Sequence, residues 1–381
     1  MNNDRIETGA LHGLRVVELG QFLSAPFGGM IFSDLGAEVI KIERPGAGDD
    51  GRRMGAPFRS GDSLIFQDLN RGKYSVELDL KTPEGHRDFM ALAATADIIV
   101  NNLRPGTSRE MKIDAASVRE RFPRIIYCTL SAMGSVGPLK MQPGFEPLVQ
   151  AYSGLASVNG FETSPSVRTG PSVVDLGSGM WIVIAAMAAL KKRDTTNEGA
   201  EINLSLLETS LTWITQDISG YLNEGRQPVR RGNGHPLLVP YDTFDASDMP
   251  IMLAVGNDRQ FGKFCELVGR EEWLSKAGFR TNGERLGNRH QVCAAVAELI
   301  KERPAAYWVH ELTKRDVPCA QFNSIPEVLA GPQVKELNLF REIETGDVTR
   351  HVLGLPFTIN SERPIACKPS PKVGEHNAKY F

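Results

Sequence analysis

Short β-branched runs alternate with helical segments through the first 130 residues. The runs are LRVVEL, AEVIKIE, YSVELDL, DIIVNN and RIIYCTL, at residues 14–19, 37–43, 74–80, 97–102 and 124–130. Parallel strands need a crossover segment between them, usually a helix. The alternation therefore predicts an α/β fold with a mostly parallel, doubly wound sheet. A helix over 180–192 and a further strand at 201–206 extend the pattern.

Several helix starts are marked by their residue types. Pro26 suits the first turn of a helix that follows the first strand. Thr82, Pro83 and Glu84 provide a cap, a first-turn proline and a first-turn acid for the next helix. Asp114 is placed to cap the helix before the fifth strand.

The composition changes after residue 222. Residues 223–244 are rich in Gly, Pro and Arg, which predicts a linker or a functional loop. Residues 245–320 contain one strand, PIMLAV, and amphipathic helices, which predicts a second, smaller domain. The segment from Val317 onward is predicted to be irregular.

Charge and cysteine content exclude several classes of protein. The formal net charge of −3 gives no overall basic field for nucleic acid or an anionic membrane. The N-terminus is polar, and the longest uncharged apolar run, 180–190, is shorter than the ~20 residues of a membrane span. Five scattered cysteines without a CxxC pair argue against disulfides and zinc. We expect a cytoplasmic protein.

The usual cofactor and nucleophile motifs are missing from the sequence. The first βα turn, ELGQFLSAPFGG, has no GxGxxG fingerprint for a dinucleotide. No paired-histidine or clustered-carboxylate pattern indicates a metal, and no GxSxG elbow indicates a serine nucleophile. We therefore expect no metal and no tightly bound cofactor.

One carboxylate stands out by its isolation. Asp175 is the single charged residue in TGPSVVDLGSGM, and the uncharged run 180–190 follows it. Asp immediately before an apolar helix is a standard N-cap. The alternative interpretation is that Asp175 is a catalytic nucleophile, and the residue types alone leave both open.

Long motifs identify a family resemblance that covers nearly the whole chain. LRVVELGQFLSAPFGGMIFSDLGAEVIKIERPGAGDD, NRGKYSVELDLKTPEG, ADIIVNNLRPGT, VPCAQFNSIPEVLAGPQV and GEHN occur in the order found in class III (CaiB/BaiF) CoA-transferases. Within that family the chain is similar to enzymes that use formyl-CoA with oxalate and succinyl-CoA with dicarboxylates. The resemblance implies transfer of CoA from an acyl-CoA to a carboxylic acid, with coenzyme A as a substrate.

The resemblance also implies an architecture. The large Rossmann-like domain would comprise 1–222 and 321–381, the loop 223–244 would reach the active site, and 245–320 would form the small domain. Two identical subunits would interlock like links of a chain.

The resemblance assigns site residues as well. The nucleophile falls on Asp175, which would form a mixed anhydride and then an aspartyl-CoA thioester. The positions expected to contact CoA are Phe22, Leu23, Ser24, Arg44, Leu78, Asp79, Leu80, Lys81, Asn102, Leu103, Arg104 and Lys140. The cations among them would bind the phosphates.

The chain departs from the family pattern at several points. An arginine usual after RPG is replaced by Glu110, with Arg109 beside it. In place of a glycine run, RRGNGHP (230–236) is the candidate mobile loop, where Gly232, Gly234 and His235 would close over Asp175. The cations near it, Arg226, Arg230, Arg231 and His235, suggest a short dicarboxylate substrate such as succinate or oxalate.

Two other functions remain open from the sequence. α-Methylacyl-CoA racemases resemble this chain but have a histidine where it has Phe145, and phenylalanine cannot transfer a proton. A non-catalytic CoA-binding subunit is the second alternative, against which the presence of Asp175 argues.

Overall fold

A computed structural model describes residues 9–55, 61–345 and 348–381 of the chain. Contacts divide the chain into two units. The first unit comprises the residues up to Ala156, Arg168–Pro228 and Asn338–Phe381. The second comprises Ser157–Val167 and Val229–Leu337.

The first unit contains most of the regular structure. Its strands are β1 Arg15–Leu19, β2 Glu38–Glu43, β3 Tyr74–Glu77, β4 Ile98–Asn101, β5 Ile126–Ser131 and β6 Ala200–Ser205. Its helices through residue 224, including α7 at the boundary between the units, are α1 Ser24–Asp34, α2 Leu64–Leu69, α3 Pro83–Ala93, α4 Thr107–Glu110, α5 Ala115–Arg121, α6 Glu146–Tyr152, α7 Leu155–Val158, α8 Val173–Thr196, α9 Leu206–Trp213 and α10 Thr215–Glu224, with a 3₁₀ turn at Asp50–Arg53.

In the described residues, β1 to β6 form one parallel sheet in the order β3-β2-β1-β4-β5-β6. This is the order of doubly wound Rossmann-type sheets, and it confirms the predicted α/β class. The strand order reverses between β1 and β4, and at such a point these sheets bind ligands outside the carboxyl ends of the strands. The strand interiors are buried aliphatic residues such as Val17, Ile40 and Ile99, as parallel sheets require.

The predicted helix starts are confirmed in part. Thr82 Oγ1 accepts the Gly85 N–H at 3.0 Å, and Pro83 begins α3. Asp114 precedes α5, but its carboxylate accepts from Ser117 Oγ at 2.6 Å and makes no capping bond. The long apolar helix begins seven residues before the predicted start at 180, because uncharged small residues continue upstream.

Helix α8 is long and apolar enough to cross a membrane by length and composition. It packs against α1, α9, β5 and β6, so it is a central helix of the first unit. One third of its most apolar window is buried within the chain.

The second unit has its own antiparallel sheet and core. Its strands, in the order β7-β8-β9, are β7 Tyr241–Asp245, β8 Pro250–Ala254 and β9 Cys319–Gln321. Its helices are α11 Asp258–Val268, α12 Asn282–Gly287, α13 Arg289–Ile300, α14 Ala305–Thr313, α15 Ile325–Ala330 and α16 Pro332–Glu336, with a 3₁₀ turn at Glu271–Leu274. Phe261, Phe264 and Trp273 are central in its core.

The unit boundaries differ from the sequence-based ones. Residues 321–337 belong to the second unit, because β9 pairs with β8 and the chain continues there. The prediction of an irregular tail is wrong for part of it, since β10 Phe340–Thr345 and β11 Val348–Leu353 pair antiparallel in the first unit. The last helix, α17 Asn377–Tyr380, contacts edge strand β3.

Candidate active site

The first turns of α1 and α8 lie side by side because glycines let the two helices cross closely. A Cβ atom at Gly179 would lie 2.7 Å from the Ser24 carbonyl oxygen. One at Gly28 would lie 3.1 Å from the Gly179 carbonyl oxygen. Larger residues would push the helices apart, because close-packed interiors have little free space. The crossing therefore brings Asp175 of α8 close to Ser24, the first residue of α1.

Asp175 lies in the first turn of α8 and accepts a hydrogen bond at Oδ1 from Ser24 Oγ. The helix begins at Val173, and the residue at its N-cap is Ser172. The interpretation of Asp175 as the N-cap is therefore wrong. The positive end of the helix dipole still favours a negative charge at this position.

Burial raises the pKa of the Asp175 carboxyl from its ordinary 3.8 to about 6. The hydrogen bond from Ser24 opposes this shift, and the carboxylate of Glu146 adds to it. Among the described residues, no lysine, arginine or histidine forms an ion pair with Asp175. At neutral pH the group is mostly ionised yet poorly solvated and without a countercharge, which suits a nucleophile.

Glu146, the first residue of α6, holds the start of α8 from the other side. Its side chain is buried, and its Oε1 accepts the Val174 N–H at 3.4 Å and Gln150 Nε2 at 2.5 Å. Gln150 also donates to Thr169 Oγ1 and accepts the Thr169 N–H, both at 2.9 Å. The segment that leads into α8 is thus fixed to α6.

The turn between β1 and α1 is held in a strained conformation. Phe22 has a φ of 65°, which a bulky residue rarely adopts. Its N–H donates to Asp49 Oδ1 at 3.1 Å. Across the reversal point of the sheet, Asn102 accepts the Gln21 N–H at 2.9 Å and donates to the Gln21 carbonyl at 3.0 Å. Such strain persists where the surroundings over-determine it, and here it fixes the approach of Ser24 to Asp175.

A buried ion network lies beneath this turn. Glu18 and Lys41 are register partners on β1 and β2, and Lys41 Nζ lies 2.9 Å from both Glu18 Oε1 and Asp49 Oδ2. Lys73 Nζ lies 2.7 Å from Glu18 Oε2 and 2.8 Å from the Pro26 carbonyl oxygen in α1. Burial lowers the pKa of Lys73 to about 8, against the attraction of Glu18. The network ties β1, β2 and α1 together under the site.

The residues expected to contact CoA all follow strands at one edge of the sheet. They lie after β1 (Phe22, Leu23, Ser24), β2 (Arg44), β3 (Leu78, Asp79, Leu80, Lys81), β4 (Asn102, Leu103, Arg104) and β5 (Lys140). Because the strands are parallel, their carboxyl ends meet at this edge.

The four cations of that set are exposed. Arg44 pairs with Asp50 at 2.8 Å. In the part of the chain that the structure describes, Lys81, Arg104 and Lys140 have no acidic partner within 4 Å. These side chains are available to an anionic ligand.

Comparison with known proteins decides the family. The model of "CoA-transferase family III" matches residues 11–377. This chain belongs to CoA-transferase family III. A succinyl-CoA:glutarate CoA-transferase of Mus musculus is 33% identical over 96% of this chain and 84% of its own length. An acetyl-CoA:oxalate CoA-transferase of Acetobacter aceti is 34% identical over 97% of this chain and 94% of its own.

Solved structures agree with this assignment. A CaiB/BaiF family protein from Brucella suis has a TM-score of 0.84 at 32% identity, covering 97% of this chain and 98% of its own. Rv3272 from Mycobacterium tuberculosis has a TM-score of 0.88 at 27% identity, covering 98% of this chain and 99% of its own. The resemblance found in the sequence is confirmed, and the chain is a class III acyl-CoA CoA-transferase.

Some expected CoA contacts of this CoA-transferase have another role in the structure. Ser24 donates to Asp175, and the Asn102 amide is bonded to the Gln21 backbone. Leu78 is buried in the core of the sheet. Phe145 is exposed, and its ring stands perpendicular to that of Phe22 with centroids 5.5 Å apart.

The candidate loop of this CoA-transferase is ordered by contacts within the second unit. Arg230 donates to the carbonyls of Ser157 and Phe161, at 3.3 and 3.2 Å. His235 stacks on Tyr241 with centroids 4.9 Å apart, and burial lowers its pKa, as does Arg289. Asp175 belongs to the first unit, so the closure of Gly232 and Gly234 over it stays a prediction.

Two further cations of the predicted loop contact residues that are close to them in the sequence. Arg226 pairs with Glu224 at 3.2 Å, and Arg231 donates to the Val229 carbonyl at 3.2 Å. Arg109 is exposed beside Glu110 at the end of α4. Whether Arg109 supplies a phosphate contact stays a prediction.

Sequence reasoning did not identify Glu146, Asp49 or the Glu18–Lys41 pair. Glu146 precedes a proline at a helix start, where an acid is ordinary. A lysine and a glutamate inside two apolar parallel strands are a usable signal, because such strands are buried on both faces and a charge there needs a partner. Asp49 lies in a glycine-rich turn and gives no comparable signal.

Proposed function

We propose that this enzyme transfers CoA from an acyl-CoA to a short dicarboxylic acid, with Asp175 as the covalent nucleophile. The observation that carries the proposal is the state of Asp175. It is a carboxylate at the strand-end edge of a Rossmann-type sheet, bonded to a serine hydroxyl and without a countercharge among the described residues. Structural carboxylates of the same unit, such as Asp34 and Asp49, have a cationic partner.

The first half of the reaction charges the enzyme. Asp175 attacks the thioester carbonyl, a C–O bond forms, the C–S bond breaks, and the electron pair leaves on the CoA sulfur. The thiolate then attacks the Asp175 carbonyl of the mixed anhydride. A C–S bond forms to the enzyme and the donor acid leaves as a carboxylate.

The second half returns the CoA to a new acid. The acceptor carboxylate attacks the aspartyl thioester and gives a second anhydride and free thiolate. The thiolate attacks the acceptor carbonyl, so the new acyl-CoA leaves and Asp175 is again ionised. No group has to remove a proton from the nucleophile, which accords with the absence of a Ser–His or Cys–His arrangement in the sequence.

Ser24 supports this chemistry by orienting the nucleophile. Its hydroxyl donates to Oδ1 and leaves Oδ2 for attack. Orientation of a reacting group can contribute ~7–11 kcal/mol toward the barrier. The strained turn at Phe22 fixes the position of Ser24.

The exposed cations support CoA binding. Arg44, Lys81, Arg104 and Lys140 follow four different strands at the same edge. Charge-assisted bonds to phosphate are among the stronger hydrogen bonds in proteins. We expect them to hold the phosphates, with Arg44 exchanging Asp50 for phosphate.

The names of relatives support a dicarboxylate. Proteins at 30–34% identity are named for glutarate, oxalate and mesaconate as CoA acceptors. The cationic segment with Arg226, Arg230, Arg231 and His235 is the predicted site for the distal carboxylate. An arginine of this segment that binds the distal carboxylate would favour diacids over monoacids of similar length.

The racemase alternative lacks a proton carrier at Phe145. That side chain packs edge-to-face on Phe22, so it contributes surface rather than acid–base chemistry. We expect no exchange of the α-proton of a 2-methylacyl-CoA in heavy water at a rate comparable to turnover.

The apolar outer face of α8 and α9 supports a homodimer. Met180, Trp181, Ile184 and Met187 of α8 and Trp213 of α9 are between 36% and 54% exposed. A contiguous apolar surface of this kind is typical of subunit interfaces. Light scattering of the purified protein should give twice the 41.8 kDa chain mass.

The decisive experiment is to trap the covalent enzyme. Incubation with succinyl-CoA, followed by intact-mass measurement and hydroxylamine treatment, should show the CoA adduct and its hydroxamate on Asp175. Asp175→Ala should show neither, whereas the matched control Asp114→Asn should behave as wild type. An adduct elsewhere, or full transfer by Asp175→Ala, would refute the mechanism.

The substrate class is tested separately. Succinate, glutarate and oxalate are compared with butyrate and benzoate as acceptors, in wild type, in Arg231→Ala and in the control Arg259→Ala, which changes an exposed arginine of α11. We expect the diacids to be preferred in wild type and less so in Arg231→Ala. A preference for the monoacids in wild type would refute the dicarboxylate proposal.

A further inference from the structure

We propose that Glu146 is a positioning residue that promotes acylation of Asp175 by electrostatic repulsion. Its carboxylate is fixed beside the first turn of α8, where it disfavours the ionised nucleophile relative to the acylated one. This inference rests on the proposed function only in taking Asp175 as the group that is acylated.

The geometry fixes Glu146 firmly. Its side chain is 2% exposed, and its Oε1 accepts N–H donors from Val174 and Gln150, as a carboxylate oxygen does. The other oxygen, Oε2, is buried and has no hydrogen-bond partner in the described part of the chain. A buried polar atom left without a partner costs free energy, and this cost requires a compensating reason.

Among the residues that the structure describes, the elements around Asp175 supply no other ionisable group that shifts its pKa. From α1 the contact is the neutral Ser24 hydroxyl, while Asp34 at the far end of α1 is paired with Arg71. From α9, Glu208 is exposed and accepts from Ser205 Oγ at 2.6 Å. Glu146 of α6 is the charged group that raises the pKa of Asp175 after burial itself.

Acylation removes the repulsion because it removes a charge. Ionised Asp175 and Glu146 are two carboxylates in a partly desolvated site. When Asp175 attacks the thioester, its negative charge leaves with the CoA sulfur, and Asp175 is neutral in the anhydride. It is neutral again in the aspartyl thioester, because the donor acid carries the charge away. The repulsion is therefore absent in the thioester and in the anhydrides before and after it, and it returns only when the product acyl-CoA forms.

The repulsion from Glu146 makes it easier to form covalent states that a carboxylate nucleophile would otherwise form unfavourably. An anhydride or thioester of a carboxylic acid is a high-energy species, so an enzyme gains from destabilising the free carboxylate. The cost is that protonation of Asp175 is favoured as well, which limits the reaction at acid pH. Charge at Glu146 thus links the stability of the covalent enzyme to the acid limb of the pH profile.

The test neutralises Glu146 while keeping its contacts. In Glu146→Gln the amide oxygen can still accept from Val174 and Gln150, so the start of α8 stays in place. The measured quantity is the equilibrium ratio of CoA-bound to free enzyme at a fixed ratio of donor acid to succinyl-CoA. Since one pKa unit corresponds to a factor of ten, we expect this ratio to fall about three- to tenfold. Adduct formation falls at acid pH as Asp175 is protonated, and this acid limb should move to lower pH in Glu146→Gln because the pKa of Asp175 is lower there.

Two controls separate charge from structure. Glu146→Asp keeps the charge, and its acid limb should stay closer to wild type than that of Glu146→Gln. Glu208→Gln neutralises a carboxylate on another helix packed against α8 and should leave both readouts unchanged. If Glu146→Gln kept the wild-type acid limb and the wild-type adduct ratio, the inference would be wrong.

A measurement independent of activity separates the coupling of Glu146 to Asp175 from the assignment of Asp175 as the nucleophile. Carbon-13 NMR of protein labelled at the aspartate carboxyls, with Asp175→Asn for assignment, gives the pKa of Asp175 directly. A lower pKa in Glu146→Gln supports the coupling even if no adduct forms on Asp175, a result that would refute only the nucleophile assignment. An unchanged pKa in Glu146→Gln would overturn the coupling even in an active enzyme.

Discussion

Asp49 and Asp175 are both withdrawn from solvent in the first unit, both contact the β1–α1 region, and their pKa values shift in opposite directions. Burial raises the pKa of Asp49, but Lys41 and N–H donors from Gly51 and Phe22 outweigh it, so the net pKa is lowered. Burial also raises the pKa of Asp175, and a single serine hydroxyl does not outweigh it.

The more deeply buried group is therefore the more stably ionised one. Asp49 is 2% exposed, whereas Asp175 retains partial exposure. The difference lies in the partners: a lysine and two backbone donors against a hydroxyl and a second carboxylate. A buried carboxylate with its countercharge is structural, and one without it is poised to lose its charge by protonation or by acylation.

The largest expected effect is in Asp175→Asn, which should separate activity from stability. Transfer should fall more than about a thousandfold, because the covalent nucleophile is gone. Stability should not fall. A carboxyl whose folded pKa of about 6 exceeds its unfolded value of 3.8 destabilises the fold progressively as the pH rises through that interval. The cost amounts to about 2–3 kcal/mol at neutral pH.

Thermal unfolding from pH 4 to pH 8 measures this directly. Asp175→Asn should be more stable than wild type at pH 7 to 8, and the two should converge near pH 4. A variant that is less stable than wild type at pH 8 would show that Asp175 is structural after all, and the comparison with Asp49 would fail.

Asp49→Asn should show the reverse behaviour. The amide oxygen can still accept from Phe22, but Lys41 loses one of its two countercharges in a buried site. Breaking a buried pair of this kind costs about 3 kcal/mol. The pKa of Asp49 is lowered on folding, so its contribution is present at neutral pH and is lost as the pH falls through the folded-state value.

Chemical denaturation at pH 7 tests this prediction, with Asp50→Asn as the matched control. Asp50 is the next residue along the chain, and its pairs with Arg44 and Arg53 are solvent-exposed, so its loss should cost less than about 1 kcal/mol. Equal destabilisation by the two variants would mean that the Lys41 partner makes no special contribution.

Features that depend on local sequence patterns could be predicted from the sequence. The parallel sheet and most of its strands were predicted because periodicity is a local signal. Asp175 was noticeable as an isolated charge, but its assignment as the nucleophile came from the family resemblance and stays a prediction. The strand-end turns followed from the sheet order, since carboxyl ends of parallel strands meet at one edge.

The support around the site was not predictable in the same way. Asp49 meets Phe22 from 27 residues away, and Ser24 meets Asp175 from 151 residues away. Neither contact leaves a local pattern, because each depends on the close crossing at Gly28 and Gly179 or on the register of β1 and β2. The hairpin of β10 and β11 was missed for another reason, since its strands are largely exposed and their apolar residues do not alternate regularly with polar ones.

The smallest effect is expected for Ser24→Ala, which removes the one hydrogen bond that favours ionised Asp175. Such a bond contributes about 1 kcal/mol, so the pKa of Asp175 should rise from about 6 to roughly 7. The ionised fraction at pH 7 would then fall from about nine-tenths to about half, and the rate of adduct formation would fall about twofold there and more at lower pH.

Ser24→Thr provides the control, because it retains a hydroxyl at the first position of α1. The readout is the pH dependence of single-turnover CoA adduct formation in the two variants and wild type. The acid limb should move upward in Ser24→Ala and stay near wild type in Ser24→Thr. If the limb moved downward in Ser24→Ala, the hydroxyl would be stabilising the protonated carboxyl, and Asp175 would have no partner among those named here that favours its ionised form, unlike Asp49 with Lys41.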